Sequence, residues 1–535
     1  MSLFESRGVC RRFGPILTFP LLLTGLAVGC NSGGLEGADD GGNPNDSSAH
    51  DDPGYPAGTT GAAGSGDEWG GGTDGDGSGG GEDWPPEKEE PEPKEPPKDT
   101  CNDVDDVTLY LSPDDSNSMS SPAQIREAAL DDFGSVRSIP VRTWEFLNYY
   151  HFDYPAAPTG EVLVTPSLIG DPEVGEYTLQ IAVSSETVAP ADRRPMNVTL
   201  VLDTSGSMSG HPMEMLKQTS LAIAGSLEEG DTVSMVTWNT SNAIVLGGYE
   251  VDGPSDQVVV EAINSLDASG GTDLHGGLTA GYSLANDVHD SDRINRIVLI
   301  SDGGANVGVT DIDLIADNAG GNNEDGIYMV GVGVGTATSY HDALMDAVTD
   351  AGKGASVFIN DAAEAQKIFG DEFISTMDVA VRDVQVRLDL PPGFEAVQFS
   401  GEEISGDPSE VEPQHLAPND HMVFHQEIET CAPELGGPDA EVVVTVQYLD
   451  GVTFEQRQTS INTTIGELLE NDRSQLLKGA AIFEYAEALK GYQQAVGATE
   501  EQAALAPAFD ALDLADIALP GDPDLAEIRV VLDAL

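Results

Sequence analysis

The residues best suited to chemistry lie in one pentapeptide, Asp203-Thr204-Ser205-Gly206-Ser207. It offers a carboxylate and two hydroxyls, and Gly206 allows a tight turn between the hydroxyls. Small oxygen ligands of this kind suit a hard cation such as Mg²⁺, which prefers six oxygens and keeps several waters. The pentapeptide follows Met196 to Leu202, an apolar run with the length and β-branched content of a buried strand. In open α/β sheets, ligands gather at the carboxyl ends of such strands.

The elements around it alternate between strand and helix patterns from Met196 to about Met377, which predicts a doubly wound, mostly parallel sheet. Helices are expected over Pro212–Leu227, Val258–Leu266, Gly276–Ala285, Ile312–Ala316, Tyr340–Val348 and Ala362–Thr376. Strands are expected over Thr232–Trp238, Ala243–Val251, Ile294–Ile300, Gly326–Val334 and Ser356–Ile359. The short turn Asn239–Asn242 makes the first two a hairpin, hence one antiparallel edge. Upstream lie a short helix at Ala123–Ala129, an aromatic cluster at Val141–Tyr150 read as a packing surface, and strands at Glu161–Thr165 and Glu176–Val183. Downstream, Val381–Leu388, Phe394–Phe399, His421–Glu427, Glu441–Tyr448 and Thr453–Ile461 alternate as strands without helices between them, which predicts a small β-sandwich. A helical tail follows, with Arg473–Val496 and an amphipathic stretch near Leu525–Leu532.

Asp-x-Ser-x-Ser after a hydrophobic strand resembles the metal-ion-dependent adhesion site of von Willebrand factor type A (VWA) domains, whose fold is a Rossmann-like doubly wound sheet. The resemblance implies a Thr on a second loop and an Asp on a third. Thr272 in Gly270-Gly271-Thr272-Asp273-Leu274 and Asp302 after Ile297–Ile300 match in order and local context. It further implies Mg²⁺ or Mn²⁺ held directly by Ser205, Ser207 and, when a ligand is engaged, Thr272, with Asp203 and Asp302 acting largely through water. A partner's carboxylate then completes the shell, so the implied function is binding rather than catalysis. The alternative is an envelope assembly or regulatory platform whose cation grips a flanking domain or a partner lipoprotein. The stretch Val141–Tyr150 with Asp153-Tyr154-Pro155 looks like the N-terminal module of bacterial VWA lipoproteins. The expected organisation is a signal peptide (1–29), a tether (30–103), an N-terminal module (104–190), a VWA domain (191–378), a β-sandwich (379–465) and a helical region (466–535).

The address follows from the N-terminus. Arg7, Arg11 and Arg12 precede a mostly apolar stretch too short to span a bilayer, ending in Leu26-Ala27-Val28-Gly29-Cys30. That ending resembles a bacterial lipobox, with Cys30 as the lipidated residue and Asn31 compatible with outer-membrane sorting. From Asn31 to about Thr100 the chain is Gly-, Ser-, Pro- and acid-rich and has too little apolar surface to fold. A formal net charge of −70 excludes nucleic acid as a partner and leaves the lipid as the only expected membrane contact. With Cys10 removed and Cys30 lipidated, Cys101 and Cys431 remain, a candidate disulfide in an oxidising compartment.

Three competing motifs are weaker. A hydrolase triad of Ser205 or Ser207 with His275 and Asp302 lacks a Gly-x-Ser-x-Gly elbow, and His275 reads as a helix-start residue, so no enzyme activity is expected. Gly331-Val332-Gly333-Val334-Gly335 lacks the Lys and spacing of a nucleotide loop and reads as a strand under close-packed helices. His415, His421 and His425 lack a zinc-site pattern, since four residues along a strand only place two side chains on one face.

Overall fold

The computed structural model describes residues 107–535 except 114–117, 131–134, 304–325, 338–339, 341, 431–432 and 434–435. The signal and tether, Cys30, Cys101, Cys431 and the helix expected at 312–316 lie outside the described residues. In chain order the strands begin with β1 (Val107–Ser112), β2 (Leu163–Asp171) and β3 (Glu176–Ser184). Next come β4 (Met196–Asp203), β5 (Thr232–Trp238), β6 (Asn242–Glu250), β7 (Ile294–Ser301), β8 (Ile327–Val334) and β9 (Ser356–Ile359). The last group is β10 (Val381–Leu390), β11 (Phe394–Phe399), β12 (Glu403–Ser405), β13 (Gln414–Leu416), β14 (His421–Thr430), β15 (Glu441–Asp450) and β16 (Gln456–Thr464).

The central sheet runs β6-β5-β4-β7-β8-β9 and is parallel except for β6, which pairs antiparallel with β5 at one edge. Every residue of β4, β7 and β8 is buried, which is why each reads as a nearly continuous apolar run. One face packs Val198, Leu200 and Leu202 against helices at His211–Ser226 and Gln257–Asn264. The other packs Val201, Val236 and Trp238 against helices at Leu274–Asp287 and Asp342–Ala351. Gly331 shows how tight that face is: an added Cβ would sit 2.1 Å from Thr349 Cγ2. The glycines of β8 are thus packing residues.

The expected last helix is interrupted. Ala362–Gln366 and Phe373–Met377 are α-helical, but Lys367–Asp371 between them forms a π turn, closed by Glu372 N–H to Lys367 O at 2.8 Å. The wider turn seats Ile368, Phe369 and Phe373 together in the core.

The expected separation of N-terminal module from β-sandwich does not hold. β1 pairs with β10 (Leu109 opposite Leu388) in a sheet ordered β12-β1-β10-β15-β16, with β13 also on β10. β3 pairs with β14 (Ile181 opposite Phe424) in the facing sheet, β11-β14-β3-β2. The strands before and after the α/β domain therefore build one sandwich around one core. The reason is burial: β1–β3 have one apolar face each and no second layer of their own to cover it. The aromatic cluster behaves as expected. Phe146, Tyr149 and Tyr150 are buried with Ile482 and Tyr485 of the helix Ser474–Gln494, and with helices Ala498–Ala518 and Pro523–Ala534.

Candidate functional site

β4 and β7 are hydrogen-bonded neighbours with Leu202 opposite Ile300, so Asp203 and Ser301-Asp302 leave the sheet side by side. Three loops meet there through backbone bonds. Thr204 N–H donates to Trp238 O at 2.8 Å, and Ser269 N–H to Thr204 O at 2.7 Å. Gly206 N–H donates to Gly270 O at 3.0 Å, and Asp273 N–H to Asn239 O at 2.8 Å. Gly270 adopts φ +86°, where a side chain would be strained and its Cβ would lie 2.8 Å from Thr240 Oγ1. That conformation holds the Thr272 loop against the Ser205 loop.

The side chains converge. Asp203 is fully buried; its Oδ1 accepts from Ser205 N–H at 2.8 Å and its Oδ2 from the Ser301 hydroxyl at 2.7 Å. The Ser205 and Ser207 hydroxyl oxygens lie 3.0 Å apart. Ser205 is buried, whereas Gly206, Ser207, Ser209 and Gly210 are exposed, so the site opens to solvent on the Ser207 side. Thr272 and Asp302 are both buried. Burial, opposed by the two hydrogen bonds and reinforced by the Asp302 charge, pushes the Asp203 carboxyl up to about 7.

A cation fits this donor set. No basic side chain among the described residues forms an ion pair with Asp203. A buried carboxylate beside a second acidic residue, with two hydroxyls converging, is an arrangement that a divalent cation stabilises and an apolar environment does not. Ser301 is a site residue that sequence reading overlooked. Its hydroxyl also accepts Gly303 N–H at 3.0 Å, fixing the turn through Asp302. The only signal in the sequence was a small polar residue ending a buried strand.

The competing motifs separate from this site. His275 lies in the first turn of the helix Leu274–Asp287, which Asp273 caps through Gly276 N–H, and no hydrogen bond links His275 to Ser205 or Ser207. His425 Nδ1 pairs with Gln180 Oε1 at 2.9 Å, and His421 Nδ1 with Ser184 Oγ at 2.9 Å. Among the described residues no group of three or more His, Cys, Asp or Glu is placed to hold a metal.

Residues 197–371 match the von Willebrand factor type A domain family, so the central α/β unit is a VWA domain. The chain is similar to the protein YfbK of Escherichia coli K12, at 28% identity over 264 residues, 48% of this chain and 45% of that one. It is also similar to inter-alpha-trypsin inhibitor heavy chain H2 of Sus scrofa, at 27% identity over 193 residues, 34% of this chain and 20% of that one. The chain thus spans less than half the length of either relative. Among solved structures it resembles the von Willebrand factor type A protein from Catenulispora acidiphila, with a TM-score of 0.46 at 17% identity, covering 70% of this chain and 96% of that chain.

Proposed function

We propose that this protein is a lipid-anchored envelope protein that binds a carboxylate-bearing protein or cell-surface ligand through Mg²⁺ or Mn²⁺ at Asp203, Ser205, Ser207, Thr272 and Asp302, without catalysis. The observation that carries this reading is the fully buried Asp203 carboxylate, without a basic partner among the described residues, beside two converged hydroxyls at a solvent-facing opening. The cation supplies the positive charge that a ligand's carboxylate bonds. Ser205 and Ser207 are neutral, so only Asp203 and Asp302 contribute negative charge, and an anionic ligand is not repelled by the loop that faces it. The same hydroxyls, turned toward a cation, are not available as nucleophiles.

An internal carboxylate from the sandwich or helical region is the competing occupant. Among the described residues none hydrogen-bonds to Ser205 or Ser207, and the exposed rim favours an external ligand. Cys30 and the acidic tether place the domain on the envelope and away from its membrane in this reading, with the outer membrane as its location. Capture of ligand from solubilised envelope by the full chain tests it. Capture that requires Mg²⁺ and is lost in Asp203→Ala is the expected result; equal capture in EDTA would overturn it.

A further inference from the structure

A second place in the molecule holds buried charge without an ion pair. Several buried charges are paired: Arg193 with Asp231 at 2.5 Å, Arg142 with Glu145 at 3.2 Å, and Lys478 with Asp522 and Asp524 at 2.8 Å. Arg382 has no ion pair among the described residues but bonds Gly451 O and the Tyr328 hydroxyl. Arg296 of β7 is 5% exposed, yet its one hydrogen bond is from Nε to Met377 O at 2.7 Å. Its guanidinium stands 5.3 Å from the Tyr328 ring centroid, and no carboxylate among the described residues forms an ion pair with it. Asp378, the acidic residue that acts on it most, is bonded to Arg194 at 2.8 Å. The terminal nitrogens of Arg296 have no hydrogen-bond partner among the described residues and are not sealed off, so they are open to whatever enters the space they face.

Arg296 lines a cavity of about 130 Å³, large enough for a small organic molecule, where the VWA sheet meets residues 147–152 and 415–422 of the sandwich and helical region. Glu372 and Asp420 line the same cavity. Among the described residues the Glu372 carboxylate has no hydrogen-bond partner, and the Asp420 carboxylate accepts only from the adjacent His421 N–H at 2.7 Å. Burial raises both carboxyls, Glu372 to about 7 and Asp420 to about 6; the Lys367 charge opposes the Glu372 shift, and the Glu364 and Asp420 charges add to it. His421 is held neutral by burial, its pKa lowered to about 4, so it does not neutralise them. One partly open cavity is therefore lined by a guanidinium without an ion pair among the described residues and two carboxyls that do not bond to it, besides Lys353 and Asp378, which are paired with Glu412 and Arg194.

We propose that this cavity binds a small zwitterion of amino-acid size, with its carboxylate on Arg296 and its ammonium group on Glu372 and Asp420. Arg presents a planar fork suited to a carboxylate, and two carboxyls that repel each other are relieved by one shared cation. A simple anion satisfies only Arg296 and leaves both carboxyls without a bonded cation, Glu372 having only the nearby Lys367 charge. The site is independent of the metal loops, and its test does not depend on them.

The test is calorimetric titration of the full chain, near neutral pH and in about 0.15 M salt to screen surface charge, with glycine, L-alanine, acetate and methylammonium as probes. The proposal expects at least one of the two amino acids to bind once per chain, with acetate and methylammonium each weaker by about tenfold or more. Glu372→Gln removes a charge but no hydrogen bond, so it should fold normally and weaken amino-acid binding by about tenfold. Arg296→Lys, which keeps the charge but loses the fork, should do the same. Absence of heat from both amino acids up to about 10 mM, acetate binding as tightly as they do, or unchanged affinity in Glu372→Gln would each overturn it.

Discussion

The neighbouring strands β4 and β7 carry buried charges of opposite sign toward opposite ends of one sheet. At the carboxyl end Asp203 is buried, hydrogen-bonded by Ser205 and Ser301, and has no basic partner among the described residues. Five residues back from Ser301 along β7, roughly 16 Å at the rise of an extended strand, Arg296 is buried with no ion pair among the described residues. Both ends lie beside openings, one at the exposed Ser207 rim and one at the interdomain cavity. By contrast, the Arg193–Asp231 pair is closed on itself: Asp231 accepts both guanidinium nitrogens and the backbone N–H groups of Met196 and Glu228. A satisfied buried charge holds the fold together, whereas a buried charge satisfied only in part is free to bond something that arrives.

That contrast can be broken by mutation. The largest expected effect is at the closed pair: Asp231→Ala strands Arg193 and two backbone donors, and should cost about 3–5 kcal/mol in urea unfolding. Arg296→Met should cost far less, because only the bond to Met377 O and the guanidinium's contact with the Tyr328 ring are lost. Equal losses from the two would erase the distinction. Gly331→Ala gives an uncharged reference on the same sheet. Its Cβ collides with Thr349, and overpacking of that kind should cost about 1–3 kcal/mol by thermal denaturation.

The smallest effect is a pH dependence. Folded Glu372 keeps its proton up to about 7, whereas unfolded Glu releases it near its ordinary value of 4.5. Between those values the native state binds more protons, so this residue's contribution to stability is fully present below the lower value and is lost as pH rises toward the upper one. Glu372→Gln should therefore match wild type near pH 4 and exceed it modestly at pH 8. A variant that loses stability at pH 8 relative to wild type would mean that the favourable Lys367 charge outweighs the burial of the carboxylate.

Much of the VWA domain was legible because its strands are buried on both faces and so stand out as apolar runs between polar turns. The pentapeptide was legible because its donors are local. The shared sandwich was not, since pairing such as Val107 with Leu390 leaves no trace in either strand's own sequence. The π turn was hidden for a related reason: Lys367–Asp371 has ordinary helical composition, and the wider turn is set by how Phe369 and Phe373 pack. Arg296 was legible and went unread, for a charged residue inside Ile294–Ser301 contradicts the strand's own apolar pattern. Its hydrogen-bond poverty and the acidic residues across the cavity come from segments more than seventy residues apart and required the fold.

The central claim is that the Asp203 loops hold a divalent cation. With a net charge of −70, weak Mg²⁺ binding at the surface is expected, so the decisive quantity is the difference between two proteins. Calorimetric titration of Mg²⁺ into wild type and Asp203→Asn, in about 0.15 M salt, measures it directly. The account predicts one additional, tighter site per chain in wild type that is missing in Asp203→Asn, with the same circular dichroism for both proteins before titration. Identical isotherms from two equally folded proteins would contradict it.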